Sequence, residues 1–185
     1  MDGQALRGLR LLGLTVLVLA AGWAHAATDL PAPDPPATHA PATDSSPKAP
    51  PQFLPIEARW CLEADRCIDL EVADAPREQT LGLQQRPPLP PLRGMWFPYD
   101  PPALARFWMH HTPEPLDMLF VRDGQVIAIE PKTQPCPRLP CRSYGPDQAV
   151  DGVIELAAGQ AAAQAIVIGT RVQLERLPSG PSLAP

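Results

Sequence analysis

Residues 115–131 read PLDMLFVRDGQVIAIEP, and this stretch decides the fold. Two apolar, β-rich runs flank Asp123-Gly124, a dipeptide suited to the positive φ angles of a type I′ turn. The spacing predicts a tight antiparallel hairpin. Both runs are apolar on both faces, which places the hairpin in the middle of a sheet or barrel wall.

Upstream, Ile68, Leu70 and Val72 alternate with Asp69, Glu71 and Ala73, the period-two pattern of a half-buried strand. Asp74 then offers an N-cap and Pro76 fits a first helical turn. REQTLGLQQR continues as a short helix with Leu81 facing the core, and RPPLPPLRG follows as a surface loop. GMWF and ARFWM read as short aromatic strands. Downstream, AVDGVIEL is a strand, AAGQAAAQAI a helix and TRVQLERL a closing strand. Many short strands with two short helices predict a mainly β domain of the α+β class.

This domain spans residues 56–177, with a frayed tail at 178–185. Its flank is different in kind. Residues 1–26 read as a secretory signal: Arg7 and Arg10 are positive, Leu11 to Ala21 are apolar, and Ala24-His25-Ala26 is a small-x-small cleavage site. Eleven apolar residues rise only about 16 Å as a helix, against a hydrocarbon core of roughly 30 Å. Contact with a membrane is therefore expected only through this segment, if it stays uncleaved. In residues 27–55, nine of 29 positions are proline, and the rest lack the apolar mass to order the chain, so an extended, solvated linker is expected. Export to a bacterial periplasm or the extracellular space follows.

Export also frames the cysteines. Cys61, Cys67, Cys136 and Cys141 form an even set, for which disulfides are the default. WCLEADRCIDL reads as a hairpin turning at Glu63-Ala64-Asp65, which sets Cys61 opposite Cys67 at bridging distance. CPRLPC is a short bent loop that brings Cys136 to Cys141. A zinc site of four thiolates wants tighter knuckle spacings, and neither pair is a redox-type Cys-x-x-Cys.

The net charge of −5, with 15 Lys and Arg against 20 Asp and Glu, leaves no basic stripe, so nucleic acid is not an expected partner. No phosphate-binding Gly-rich loop, dinucleotide fingerprint or G-x-S-x-G elbow is present, and no cofactor is expected. Enzyme chemistry has no positive motif.

The runs VADAPREQTLGLQQR, GMWF, RFWMHHTPEPLDMLFVRDGQVIAI and VIELAAGQAAAQAIVIGTRV, in that order, resemble the domain of unknown function 192 family, an uncharacterised and often exported protein family. The resemblance implies a small β-barrel-like domain of short antiparallel strands, without an established activity. Its pattern covers Phe107, Trp108, Met109, Thr112, Pro115, Leu116 and Asp117. It also covers Gly82, Leu83, Gly94, Met95, Gly159 and Gly169. The chain departs at His110 and His111, where the family usually carries Lys-Asn, so a family-wide cation there does not carry over to residues that are mostly neutral at pH 7.

The candidate site gathers in RFWMHHTPEPLDMLF. Asp117 sits among apolar neighbours, where an unpaired buried charge is costly. The reading favoured for it is a structural acceptor of backbone N–H groups from the preceding HHTPEP loop. The functional reading makes it a ligand-binding carboxylate or a general base in a pocket with Trp96, Arg106, Trp108, Met109, His110 and His111, Arg106 neutralising it. Adjacent strand histidines point to opposite faces, which disfavours joint ligation. A copper(I) set of Met95, Met109, Met118 and a histidine is available, although those methionines serve equally as core. The expectation is thus a binding module for a small ligand or an envelope partner, with an Asp117 acid/base enzyme or a purely structural envelope protein as alternatives.

Overall fold

The computed structural model describes residues 49–178. The signal segment, most of the Pro-rich stretch and the tail from residue 179 lie outside the described residues. In chain order the elements are β1 (Ile56–Glu63), β2 (Arg66–Val72), α1 (Pro76–Leu81), β3 (Arg93–Ala103) and β4 (Phe107–Trp108). There follow β5 (Leu116–Arg122), β6 (Gln125–Thr133), β7 (Ser143–Tyr144), β8 (Val150–Ala157), α2 (Gln160–Ala163) and β9 (Leu174–Arg176). Seven strands form one sheet in the order β6-β5-β8-β3-β2-β1-β9, and β4 pairs with β7 apart from it. The domain is mainly β within the α+β class.

The hairpin forms as the Asp-Gly dipeptide dictates. Arg122 pairs with Gln125, and Asp123 and Gly124 take φ of 50° and 67°. β5 is the interior strand expected, buried from Leu116 to Val121. Its partner is not interior: β6 is the sheet's edge and half-exposed along most of its length. The sheet is also not closed into a barrel. The segment before β9 meets the start of β6 through a bridge between Gln125 and Arg171 and backbone hydrogen bonds of Gly169, Thr170 and Val172 to Gly124 and Val126, but β9 itself does not pair with β6, so the ladder stays open between them.

One pairing has no counterpart in the sequence pattern. β2 and β3 run parallel, with Asp69 beside Arg93 and Val72 beside Trp96. Parallel neighbours need a crossover, here supplied by α1 and the Pro-rich loop. α1 is shorter than its predicted span. Its N-cap is Ala75 rather than Asp74, because Glu78 reaches back to accept the Ala75 N–H at 3.1 Å. Gly82, at φ 46°, ends it and turns Leu83 into the core, while Leu81 stays half-exposed.

Alternation along the strands divides the core between the sheet's two faces. Met95, Phe97, Met118, Phe120 and Val153 share one cluster with Leu83, Met109 and Tyr144. Trp60, Ile68, Leu70, Leu119, Ile154 and Leu156 share the other, under α2 and Val172. Trp60 is fully buried and donates its indole N–H to the Arg171 carbonyl at 3.1 Å.

Both expected disulfides are present, Cys61–Cys67 across the β1–β2 ladder and Cys136–Cys141 closing the CPRLPC loop, which removes the zinc reading. They fit an oxidising, exported environment. No helix among the described residues is long and apolar enough to cross a membrane.

Residues 52–54, expected to be solvated linker, are instead bound to the domain. Gln52 donates its amide to the carbonyls of Glu78 (2.8 Å) and Gly82 (3.0 Å), and Leu54 donates its N–H to Glu71 Oε2 at 2.9 Å. The Phe53 ring lies 4.4 Å from the Arg86 guanidinium. Arg86 in turn pairs with Glu71 at 2.6 Å, both side chains being more than nine-tenths buried.

Candidate functional site

Asp117 is 1% exposed and points to the α2 side of β5. A bulge in the β5–β6 ladder pairs Leu116 with Thr133 but Met118 with Glu130, which frees the Lys132 N–H. Asp117 Oδ1 accepts that N–H at 2.8 Å, and Oδ2 accepts the Ala161 N–H in the first turn of α2 at 2.9 Å. It is therefore a backbone acceptor, as favoured, but its donors are on β6 and α2 rather than in the HHTPEP loop. Both of its oxygens are engaged and its side chain is 1% exposed, so its place in the structure is that of a buried acceptor.

The other residues gathered by sequence are dispersed. Met109 is core, 1% exposed, and its sulfur accepts the Thr133 hydroxyl at 3.2 Å. Trp96 lines a groove of about 270 Å³ with Glu57, Asp74 and Arg176. His111 lines a third groove, of about 200 Å³, with Pro113, Pro135 and Cys136, and its ring is 3.7 Å from that of His110. His110 is buried and sits 5.9 Å from the Trp108 ring. Arg106 does not meet Asp117. It pairs with Asp147 and donates to the Pro146 carbonyl at 2.6 Å. For the copper set, Met95 and Met118 flank Glu155 on neighbouring strands, whereas Met109 is held by Thr133. Among the described residues no cluster of three or more His, Cys, Asp or Glu side chains is placed to hold a metal ion.

Arg106 and Trp108 do line a cleft, of about 310 Å³. One wall is the last turn of α1 and the loop after it, from Gln79 to Gln84. β3 contributes Phe97 and Tyr99, and β4 contributes Phe107 and Trp108. Phe107 is set edge-on against Phe97, with centroids 5.0 Å apart, which fixes the β4 wall and leaves the Trp108 indole 53% exposed. Glu155, on β8 between Met95 and Met118, completes the lining.

Glu155 is the residue the sequence reading missed. It is 4% exposed, and burial alone pushes its carboxyl up from an ordinary 4.5 to about 8. The Tyr99 hydroxyl is also raised, first by burial and then by the Glu155 charge. The signal was in VIEL, an acid inside an apolar strand, the same anomaly that singled out Asp117.

A pH dependence follows. Between about 4.5 and about 8 the folded state holds a Glu155 proton that the unfolded chain has released, so stability falls as pH rises through that window. Unfolding free energies from urea denaturation at pH 5 and pH 7.5 should differ by on the order of 3 kcal/mol from this group, and Glu155→Gln should remove that part of the slope. Equal slopes in the two proteins would refute a buried, neutral acid.

Fold and cleft together define a small, disulfide-bonded, mainly β domain with one buried acid at a concave site. The chain belongs to the DUF192 family, described as uncharacterized ACR, whose model matches residues 60–174. Among solved structures it is similar to a protein of unknown function from Novosphingobium aromaticivorans, at 28% identity and a TM-score of 0.56, over 68% of this chain and 93% of that one. It is also similar to a candidate transcription regulator from Sinorhizobium meliloti, at 28% identity and a TM-score of 0.54, over 65% of this chain and 92% of that one. No curated protein matches.

Proposed function

We propose that this is an exported binding module, carried on its Pro-rich linker, whose site is the cleft between the α1 loop and β3, β4 and β8. The observation that carries the proposal is Glu155: a buried acid, with no cation paired to it among the described residues, lining a concave surface. Leaving such a group in a core costs stability, and a core position here would hold leucine at no such cost. A neutral carboxyl both donates and accepts hydrogen bonds, which suits ligand recognition. The proposed occupant is a small molecule; an envelope protein inserting a side chain beside Trp108 is the alternative partner.

The test is a ¹⁵N-resolved titration of the protein with a small-molecule library. Binders should shift the Trp108 indole N–H and the amides of residues 79–84. Trp108→Ala should weaken binding about tenfold, a loss near 1.4 kcal/mol, without lowering the melting temperature. Shifts confined to the Trp96 groove, or a library without a single binder, would overturn the proposal.

One observation favours a second reading. A carboxyl at about 8 is tuned near neutral pH, where a general acid/base works best. Turnover with a pH limb near 8, abolished in Glu155→Gln, would convert the binding module into an enzyme.

A further inference from the structure

The chemistry of the cleft wall is narrower than "small molecule". Its one cation is already paired. Arg106 meets Asp147 and donates to the Pro146 carbonyl, which points part of its guanidinium away from the cleft's other polar groups toward residues 146–147. Burial of Glu155 favours its neutral carboxyl, so it offers an incoming cation little countercharge. What remains is a set of neutral donors and acceptors around one flat apolar platform.

Those polar groups are held in place. Gln79 donates one amide N–H to the Pro98 carbonyl at 3.0 Å, and Gln84 donates one to the Thr80 carbonyl at 2.9 Å. Each keeps a carbonyl oxygen and a second N–H for other partners. The Tyr99 hydroxyl and the Glu155 carboxyl add two groups that both donate and accept. Beside them Trp108 presents an indole more than half exposed, on a strand whose neighbour Phe107 is locked against Phe97. An exposed indole next to two held amides, a hydroxyl and a carboxyl matches one ligand chemistry: a ring with an apolar C–H face and hydroxyls around its edge. The volume of about 310 Å³ lies at the small end of the usual range for ligand sites, about 300–1,000 Å³, which fits one ring rather than a chain of them.

We infer that the cleft accepts a single uncharged sugar ring, stacked on the Trp108 indole and hydrogen-bonded to Gln79, Gln84, Tyr99 and Glu155. The inference rests on the cleft being the binding site proposed above. Glu155 is the positioning group at its floor, and deprotonation removes its donor, so binding weakens as pH rises past about 8.

The experiment uses the folded protein with four probes at millimolar concentration: methyl β-D-glucopyranoside, N-acetylglucosamine, acetate and methylamine. At least one sugar should shift the Trp108 indole N–H and the amides of residues 79–84, leaving the Trp60 and Trp96 indoles still. Trp108→Ala should weaken that binding about tenfold, while Trp108→Phe, which keeps a platform, should weaken it less. Acetate or methylamine moving the same signals while both sugars stay silent overturns the sugar assignment and leaves the cleft standing. Silence of all four overturns the sugar assignment, and silence of the wider library as well overturns the cleft. A Trp108→Ala protein that binds sugar as tightly as wild type overturns the stacking geometry and the inference with it.

Discussion

Asp117→Ala is expected to destabilise the domain by about 4 kcal/mol, because a buried and a part-buried N–H group lose their acceptor at once. Those groups belong to Lys132 and Ala161, 15 and 44 positions further along the chain, so the side chain ties the bulged β6 edge and the first turn of α2 to the interior strand β5. Neither donor has a second partner waiting, since the bulge has removed Lys132 from the ladder and Ala161 is in the unsatisfied first turn of a helix. For a domain of this size the loss lowers the melting temperature by roughly 15 °C. Asp117→Asn keeps one acceptor but turns an amide N–H toward the other donor, so about half the loss is expected. Ligand binding at the Trp108 cleft should persist in the Asn variant at temperatures where it is folded. A melting temperature for Asp117→Ala within about 3 °C of wild type would refute the bracing role.

Arg86→Ala should be comparably costly, by about 4 kcal/mol, for a different reason. Glu71 is 7% exposed and its carboxylate lies against Arg86, with the Leu54 N–H as a further donor. Removing the guanidinium leaves that carboxylate buried and uncompensated. It also takes away the cation above Phe53 and so loosens residues 52–54. The double variant Glu71→Leu, Arg86→Met replaces the pair by apolar groups of similar volume and should recover most of the loss, to within about 2 kcal/mol of wild type. Urea denaturation of the three proteins measures both effects. A single variant that costs less than about 1 kcal/mol would show that water or rearrangement supports Glu71 without its partner.

The features legible in the sequence are those encoded within a few residues. Asp123-Gly124 sets its own turn, and a seven-residue hairpin carries Cys61 to Cys67. Pro76 opens α1 as its place in the sequence suggests, whereas the stop at Gly82 falls inside the run read as helix. Asp117 was legible as an anomaly, a carboxyl among Leu116, Met118 and Leu119, but its donors lie on elements brought to it only by the sheet order. The cleft was legible only in fragments. Arg106 and Trp108 share a stretch of sequence, yet the facing wall at 79–84 and Glu155 arrive from α1 and β8 through the parallel β2–β3 crossover, which no local pattern announces. The hairpin's placement failed for a related reason. The apolar residues of β6 say that it packs, and not that it does so at an edge.

The pairing of β9 with β1 has a consequence in time. Leu174, Glu175 and Arg176 lie against Trp60, Arg59 and Ala58, so among the described residues the last strand completes the sheet beside the first. The contact from Trp60 to Arg171 spans 111 positions. Closing so long a loop comes late in folding, and topologies rich in such contacts fold slowly. While the chain is being synthesised, β1 waits as an open edge able to pair with another copy. The window for misassembly shuts only when residues 174–176 arrive.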